Sequence, residues 1–199
     1  MKRLWRWIKS FLKLPSNVNR PAPVYESPAV IDEIAEIGED RLMTGRAGID
    51  LIIEFEGFYS APYRCPANIP TIGYGTIEYP NGQKVKMSDM PISKKDARKY
   101  LMHEVNEKEN AIQSFIERYG ISLTPNQFDA LVSFAYNLGP GPIVTPGKTM
   151  HNALISKNPL RIADSFMIYN KARVGIFRVL KPIRGLTRRR QAERDLFLS

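Results

Sequence analysis

Hydrophobic positions recur along the chain with two different periods, and the changes of period predict its elements. Residues 49–56 have the three-to-four-residue spacing of a helix, and Gly57 stands where that helix would end. Over residues 63–87, Tyr, Ile, Thr and Val are separated by Pro and Gly, and Asn81-Gly82 is typical of a hairpin turn. Helical spacing then returns after Ser93, whose hydroxyl can cap the next helix, in five segments: 94–118, 124–138, 147–156, 159–169 and 187–198. The pattern predicts an α+β fold in which one helix precedes a small antiparallel sheet and a larger helical lobe.

The first 14 residues show a basic amphipathic pattern. Their large apolar side chains share one helical side: Leu4, Trp5, Ile8, Phe11 and Leu12. Their basic side chains share another side: Lys2, Arg6, Lys9 and Lys13. This combination is typical of a helix that lies in a membrane interface, and we expect five residues to bind there: Trp5, Trp7, Lys9, Phe11 and Lys13. The alternative is a helix that docks on the protein's own core.

Two further segments connect this arm to the globular part. Residues 15–28 contain four prolines among polar neighbours and predict an extended linker. Residues 29–45 begin with apolar residues at helical spacing and predict a short connecting helix, so that the globular domain would span 46–199. The arm has no uninterrupted apolar run and no small-residue cleavage site, and no stretch has the roughly 18 apolar residues of a bilayer-spanning helix. We therefore expect neither a cleavable signal peptide nor a transmembrane helix.

The net charge of +9 is unevenly distributed along the 199 residues. Residues 1–20 carry +6, residues 21–160 carry −4 and residues 161–199 carry +7. Positive ends of this kind favour a polyanionic partner, which could be nucleic acid, an anionic membrane surface or a cell-wall polymer, although the charge could also serve solubility alone. Five arginines near the C-terminus could bind such a polymer, or could form a solvated helix face paired with acidic neighbours. The arginines are Arg184, Arg188, Arg189, Arg190 and Arg194, and the acidic neighbours are Glu193 and Asp195.

The chain has few residues that could bind a metal ion or take part in redox chemistry. It has one cysteine and two histidines, His103 and His151, which lie far apart and share no ligand spacing with an acid pair. We expect both histidines to be surface or capping residues, and we expect no metal site and no cofactor. The single cysteine also excludes an intramolecular disulfide.

The most informative stretch surrounds Glu56. This residue stands at the predicted end of the first helix, close to three aromatic residues: Phe55, Phe58 and Tyr59. Burial among apolar groups raises the pKa of a carboxyl because it disfavours the charged form, and a carboxyl that stays protonated can act as a general acid towards a glycosidic oxygen. A Glu near a helix end is more often an ordinary surface residue, so this observation alone does not assign a function.

The spacing around Glu56 is more specific. Glu56 is followed by eight residues and Cys65, then by five residues and Thr71, and then by Ile-Gly-Tyr-Gly. This arrangement resembles the catalytic signature of the phage-type lysozymes, glycoside hydrolase family 24. Residues 123–139 and 185–197 resemble the central buried helix and the C-terminal helix of that family, so the resemblance covers about residues 46–199 in the family's order.

The resemblance implies a lysozyme-like fold, with a sheet lobe and a helical lobe on the two sides of a cleft. Glu56 would be the general acid that protonates the bridging oxygen. Cys65 stands where the family usually has an Asp that holds or activates a water, and Thr71 would position that water. The turn at Tyr136 and Asn137 would contact the substrate, which would be the glycan backbone of peptidoglycan.

This chain departs from the family's pattern at three positions. Cys65 replaces a carboxylate, and it could act as a thiolate nucleophile or base if Arg64 lowers its pKa, or it could be an ordinary loop residue. Thr76 replaces the His that often follows Gly-Tyr-Gly. Tyr169 stands where the family frequently has Trp, at a position that we expect to lie in the core.

The resemblance implies an endolysin, a muramidase that would hydrolyse the β-1,4 bonds between N-acetylmuramic acid and N-acetylglucosamine and lyse the host cell. The alternative is a catalytically weak or inactive peptidoglycan-binding module with a membrane-active N-terminal peptide. Nucleic-acid binding fits the charge but lacks a base-reading motif. We expect a monomer that is made in the cytoplasm of the bacterial host and acts on the cell wall in the periplasm. Its arm would contact anionic membrane or lipopolysaccharide.

Overall fold

The computed structural model describes residues 41–65, 67–174 and 179–199. The predicted arm 1–14, the linker 15–28 and most of the connecting helix predicted over 29–45 lie outside the described residues. Residues 41–45 carry no helix, and helical structure begins at Arg46. Among the residues described, no helix is both long enough and apolar enough to cross a bilayer.

The described residues form seven helices and four short strands. The helices are α1 (Arg46–Glu56), α2 (Lys94–Tyr119), α3 (Pro125–Leu138), α4 (Gly141–Val144), α5 (Thr149–Ile155), α6 (Pro159–Met167) and α7 (Arg184–Leu198). The strands are β1 (Tyr59–Arg64), β2 (Pro70–Gly73), β3 (Lys171–Val174) and β4 (Val179–Pro182). All five helical segments predicted after Ser93 are present, which confirms the α+β prediction.

Side-chain caps and glycines set the ends of these helices. Ser93 accepts a hydrogen bond from the backbone N–H of Asp96 at 3.1 Å and so begins α2, as predicted. Thr124 and Gln127 form a reciprocal capping box at the start of α3. Gly57 ends α1 with a φ of 67°, a conformation that favours glycine. The chain therefore turns sharply from α1 into the sheet, directly after Glu56.

The sheet that follows α1 is an antiparallel pair of strands. β1 pairs with β2 so that Tyr63 lies opposite Thr71 and Tyr59 lies opposite Gly73, with an irregularity between the two pairs. The predicted Asn-Gly turn is present further along the same lobe, because the N–H of Gly82 donates to the carbonyl of Tyr79 at 2.9 Å.

The core of the helical lobe is built around α3, in which every residue from Phe128 to Leu138 is buried. Helices α1, α2 and α7 pack against it. The carboxylate of Asp129 on α3 accepts hydrogen bonds from the backbone N–H groups of Gly45 and Gly48, at 2.7 and 2.8 Å. A Cβ atom on Gly48 would lie 2.9 Å from Cβ of Asp129, so this approach requires glycine. These contacts hold the start of α1, whose other end carries Glu56.

Three features differ from the sequence-based expectation. Helix α4 and the β3–β4 hairpin were not predicted. Every residue of β4 is exposed, so this strand lacks the alternation of buried apolar and exposed polar residues by which a strand is predicted. Of the two alternatives predicted for His151, the surface position is wrong, since the residue is only 3% exposed. Its Nδ1 lies 2.8 Å from the carbonyl oxygen of Ile143 in the last turn of α4, which is a capping contact. Its ring also packs edge-on against Phe115 and Tyr119. His103 is exposed, as expected.

Candidate active site

Glu56 is held by an arginine from the far end of the chain. Its side chain is only 3% exposed, and its Oε1 accepts a hydrogen bond of 2.9 Å from Nη1 of Arg189 on α7. Its Oε2 is buried and has no hydrogen-bond partner among the described residues. The same Arg189 guanidinium lies 5.6 Å from the centroid of the Phe55 ring. The sequence predicted aromatic surroundings for Glu56, and the contact that the structure describes for its carboxyl is with a cation.

Arg189 belongs to a larger buried cluster. Its Nε donates to Oε1 of Glu193 at 3.1 Å, and its Nη2 donates to the carbonyl of Ser133 at 3.2 Å. Burial disfavours the charged form of Arg189, but the carboxylates of Glu56 and Glu193 outweigh this effect and raise the pKa of the guanidinium above its ordinary value. Arg189 therefore remains a fixed positive charge beside Glu56.

The sheet brings Tyr63 and Thr71 together on one face, and Cys65 follows directly after the end of β1. Tyr63 and Thr71 lie directly opposite each other, and the N–H of Cys65 donates to the carbonyl of Ile69, which extends the ladder by one pair. Opposed residues, and residues two positions apart on a strand, share a face of the sheet. Burial raises the pKa of the Tyr63 phenol, and the charges of Glu56, Tyr59 and Cys65 raise it further, so Tyr63 is influenced by both Glu56 and Cys65.

Cys65 occupies a tight turn between the two strands. Its side chain is 4% exposed, and its Sγ accepts a hydrogen bond from the N–H of Ala67 at 3.3 Å. Nη1 of Arg64 donates to the carbonyl of Asn68 at 2.9 Å, so this arginine stabilises the turn itself. Thr71 is fully buried and donates its hydroxyl proton to the carbonyl of Ile69 at 3.0 Å. A hydroxyl oxygen that donates its proton in this way can also accept a hydrogen bond from another group.

Tyr136 and Asn137 are almost completely buried, with 1% and 0% of their surfaces exposed. The hydroxyl of Tyr136 donates to the carbonyl of Tyr74 at 3.3 Å and so connects α3 with the sheet lobe. Oδ1 of Asn137 accepts a hydrogen bond of 3.1 Å from Nη2 of Arg190. The contacts described for these residues are with the protein, and direct contact with substrate stays a prediction.

The five predicted membrane-binding residues lie outside the described part of the chain: Trp5, Trp7, Lys9, Phe11 and Lys13.

The sequence left two interpretations open for the C-terminal arginines, and for the central pair the predicted ion pairs with Glu193 are present but the predicted solvated surface is wrong. Arg189 and Arg190 are fully buried and pair with Glu193, which is also fully buried. The signal in the sequence was the helical spacing of α7, because its buried face comprises Leu186, Arg189, Arg190, Glu193 and Phe197. Charged residues of both signs that share a helix face with apolar core residues indicate an internal cluster of ion pairs. Tyr63 was also not predicted as a site residue, although it lies two residues before Cys65 in the sequence.

Within the described part of the chain, no group of three or more His, Cys, Asp or Glu residues is arranged to hold a metal ion. The polar groups that the structure places near Glu56 are instead the guanidinium groups of Arg189 and Arg190, the carboxylate of Glu193 and the phenol of Tyr63. Such a set can hold and transfer protons at a carboxyl group that is shielded from water.

Comparison with known proteins agrees with this arrangement. The family model for phage lysozyme matches residues 53–193. The endolysin of Bacillus phage B103 is 35% identical over 155 residues, which are 77% of this chain and 53% of that protein, so the chain spans about half of its length. The endolysin of Salmonella phage P22 is 33% identical over 152 residues, which are 76% of this chain and 95% of that protein.

A solved structure extends the similarity to the fold. The endolysin from Escherichia coli O157:H7 phage FAHEc1 superimposes with a TM-score of 0.69 at 34% identity, over 79% of this chain and 94% of that one. The chain therefore belongs to the phage lysozyme family: it has the lysozyme-like fold and is a glycosidase.

Proposed function

We propose that this chain is an endolysin that hydrolyses the β-1,4 bonds between N-acetylmuramic acid and N-acetylglucosamine in bacterial peptidoglycan, with Glu56 as the general acid. The observation that carries the proposal is the unequal environment of the two Glu56 oxygens. Oε1 accepts the Arg189 hydrogen bond, whereas Oε2 is buried without a partner among the described residues. Oε2 is therefore the atom that would carry the proton and donate it to the bridging oxygen.

Cys65 and Thr71 would act on the water that completes the reaction. As the bond between the sugar carbon and the bridging oxygen breaks, that oxygen takes the proton from Glu56. A water adds to the sugar carbon and loses one proton, which Cys65 would accept as a thiolate. Thr71 would hold this water as an acceptor, because its own proton is donated to Ile69. Both residues donate a hydrogen bond to the carbonyl of Ile69, Cys65 through its N–H and Thr71 through its hydroxyl, and this common partner supports the division of roles.

The glycan would bind between the sheet lobe and the helical lobe, where Glu56 ends α1 and β1 begins. The protein would act on the wall in the periplasm of the host in which it is made, as a monomer. The arm would contact anionic membrane or lipopolysaccharide.

The proposal is tested by digesting purified peptidoglycan and identifying the products by mass spectrometry. We expect reducing muramic acid ends, and we expect Glu56→Gln to lower their release by roughly 100- to 10,000-fold, the range of a general acid. Glu54→Gln is the matched control, because Glu54 lies two residues earlier on the same helix and is exposed. Full activity of Glu56→Gln would overturn the assignment of the acid. Anhydromuramic ends would indicate a lytic transglycosylase, and unchanged glycan would favour the binding module.

A further inference from the structure

Glu193 lies at the centre of the buried cluster that reaches Glu56. We infer that Glu193 is a positioning residue: by holding Arg189 and balancing the charge of Arg190, it sets the pH range over which Glu56 can donate its proton. The inference rests on the proposed role of Glu56 as general acid. It adds to that role a residue that acts only through its neighbours.

Three donors converge on one oxygen of Glu193. Oε1 accepts hydrogen bonds from Nε of Arg189 at 3.1 Å, from Nη2 of Arg190 at 2.8 Å and from Oγ of Ser133 at 2.9 Å. None of the Glu193 side chain is exposed. Because the Nε and Nη1 atoms of Arg189 contact Glu193 and Glu56 respectively, the guanidinium plane is fixed from both sides. A shift of Glu193 would therefore turn the group that holds Oε1 of Glu56.

The negative charge of Glu193 is needed to compensate the buried positive charge of Arg190. It is fully buried, its guanidinium lies 4.9 Å from the centroid of the Phe134 ring, and its Nε lies 2.8 Å from Oε2 of Glu193. Burial lowers the pKa of Arg190 to about 10, and Glu193 opposes this effect. Arg190 is therefore a second cation at neutral pH. Its nearest carboxylate, Glu193, keeps it from acting as an uncompensated charge near Glu56.

The cluster presents a net positive charge to Glu56. Apart from Glu56 itself, it contains two guanidinium groups and one carboxylate, Glu193, and two positive charges less one negative charge leave +1. The groups that contact the cluster from α3 are uncharged: Ser133 and Asn137. From the sheet, Tyr63 lies near enough to Glu56 for the charge of that carboxyl to help raise the pKa of its phenol, and Cys65 acts on Tyr63 in the same direction. If Glu193 lost its charge, two cations would act on the Glu56 carboxylate and stabilise it against protonation.

Two substitutions in the cluster should have opposite effects on the pH profile. Glu193→Gln keeps an oxygen acceptor but removes the negative charge, so the high-pH limb of the kcat profile should move down by about one pH unit. Arg190→Met removes the second cation and leaves two carboxylates on one guanidinium, so the same limb should move up. The double variant with both substitutions restores the charge balance, and its limb should return towards that of the parent protein.

The experiment measures release of reducing ends from purified peptidoglycan across the pH range of activity, with kcat and KM separated at each pH. Asp195→Asn is the control, since Asp195 lies on the same helix and is exposed. Circular dichroism establishes whether each variant is folded. If Glu193→Gln does not fold, the test of the inference is whether Arg190→Met moves the high-pH limb of the kcat profile upwards. A loss of kcat without any movement of the limb, or movement of both single variants in one direction, would overturn the inference. Activity of Glu56→Gln would instead overturn the proposed function, so the two failures are distinguishable.

Discussion

Arg189 and Glu56 stand 133 positions apart in the chain, and the Nη1 and Oε1 atoms of their side chains lie 2.9 Å apart in the fold. The pair joins the last helix to the end of α1, with 1% and 3% of the two side chains exposed. A buried ion pair of this kind adds little net stability relative to apolar residues, but removing one partner leaves an uncompensated buried charge. The contact therefore specifies the geometry of the carboxyl more than it strengthens the fold.

Replacement of the arginine should show this dependence directly. Arg189→Met should lower the free energy of unfolding by about 3–5 kcal/mol, because Glu56 and Glu193 would both lose a buried counter-charge. Urea unfolding monitored by circular dichroism measures the change. Arg188→Met is the matched control, since Arg188 precedes Arg189 on α7 and is exposed. Equal losses of stability in the two variants would show that Arg189 has no special role.

Cys65 offers a test of the water-handling side of the reaction. In Cys65→Ser the hydroxyl can still accept the N–H of Ala67, which donates to Sγ at 3.3 Å, so the turn should be preserved. We expect kcat to fall by roughly 100-fold or more in this variant, because a serine hydroxyl is a much weaker base than a thiolate. Cys65→Asp should retain or increase activity, since a carboxylate can hold and deprotonate water. An unchanged rate in Cys65→Ser would return Cys65 to the status of an ordinary loop residue.

Asp129 should give the stability of the protein a recognisable pH dependence. Burial raises the pKa of Asp129 above 3.8 even though the N–H groups of Gly45 and Gly48 act in the opposite direction. The folded state therefore binds this proton more tightly than the unfolded state. The contribution of Asp129 to stability is greatest at low pH, and it falls as pH rises from about 4 through the raised pKa.

The measurement compares the parent protein with Asp129→Asn by urea unfolding over that range. Asparagine does not titrate, so the difference in unfolding free energy, parent minus variant, should decrease as pH rises and then become constant. An increase of that difference with pH would mean that the two backbone hydrogen bonds outweigh burial. In that case the pKa of Asp129 in the folded protein would lie below its ordinary value.

The sequence predicted the elements that local signals determine. Gly57 and Ser93 mark helix ends through backbone conformation and capping, which depend on neighbours within a few residues. The order of Glu56, Cys65 and Thr71 was sufficient to recognise the family. The predictions failed where long-range burial decides: His151 is enclosed by aromatic rings from α2, and nothing adjacent to it in the sequence indicates this.

The arginines of α7 show why the site was only partly predictable. A charged residue is ordinarily exposed, so a helix with five arginines is first interpreted as a solvated or polymer-binding face. Arg189 and Arg190 are buried because Glu193 and Glu56 compensate them, and Glu56 comes from a distant part of the chain. The helical spacing could suggest that these arginines are internal. Only the fold shows which carboxylate they meet.

The N-terminal arm leads to a prediction that rests on sequence alone. The full chain should bind anionic phospholipid vesicles, and a chain lacking residues 1–14 should bind at least about tenfold more weakly, since each basic residue near such a surface contributes about 1 kcal/mol. Two further variants separate the causes: Lys9→Gln with Lys13→Gln reduces charge, and Trp5→Ala with Trp7→Ala reduces apolar contact. Both pairs should weaken binding, and added salt should affect the charge-dependent part most. Cosedimentation with vesicles measures each affinity, and equal binding with and without the arm would exclude a membrane role for these residues.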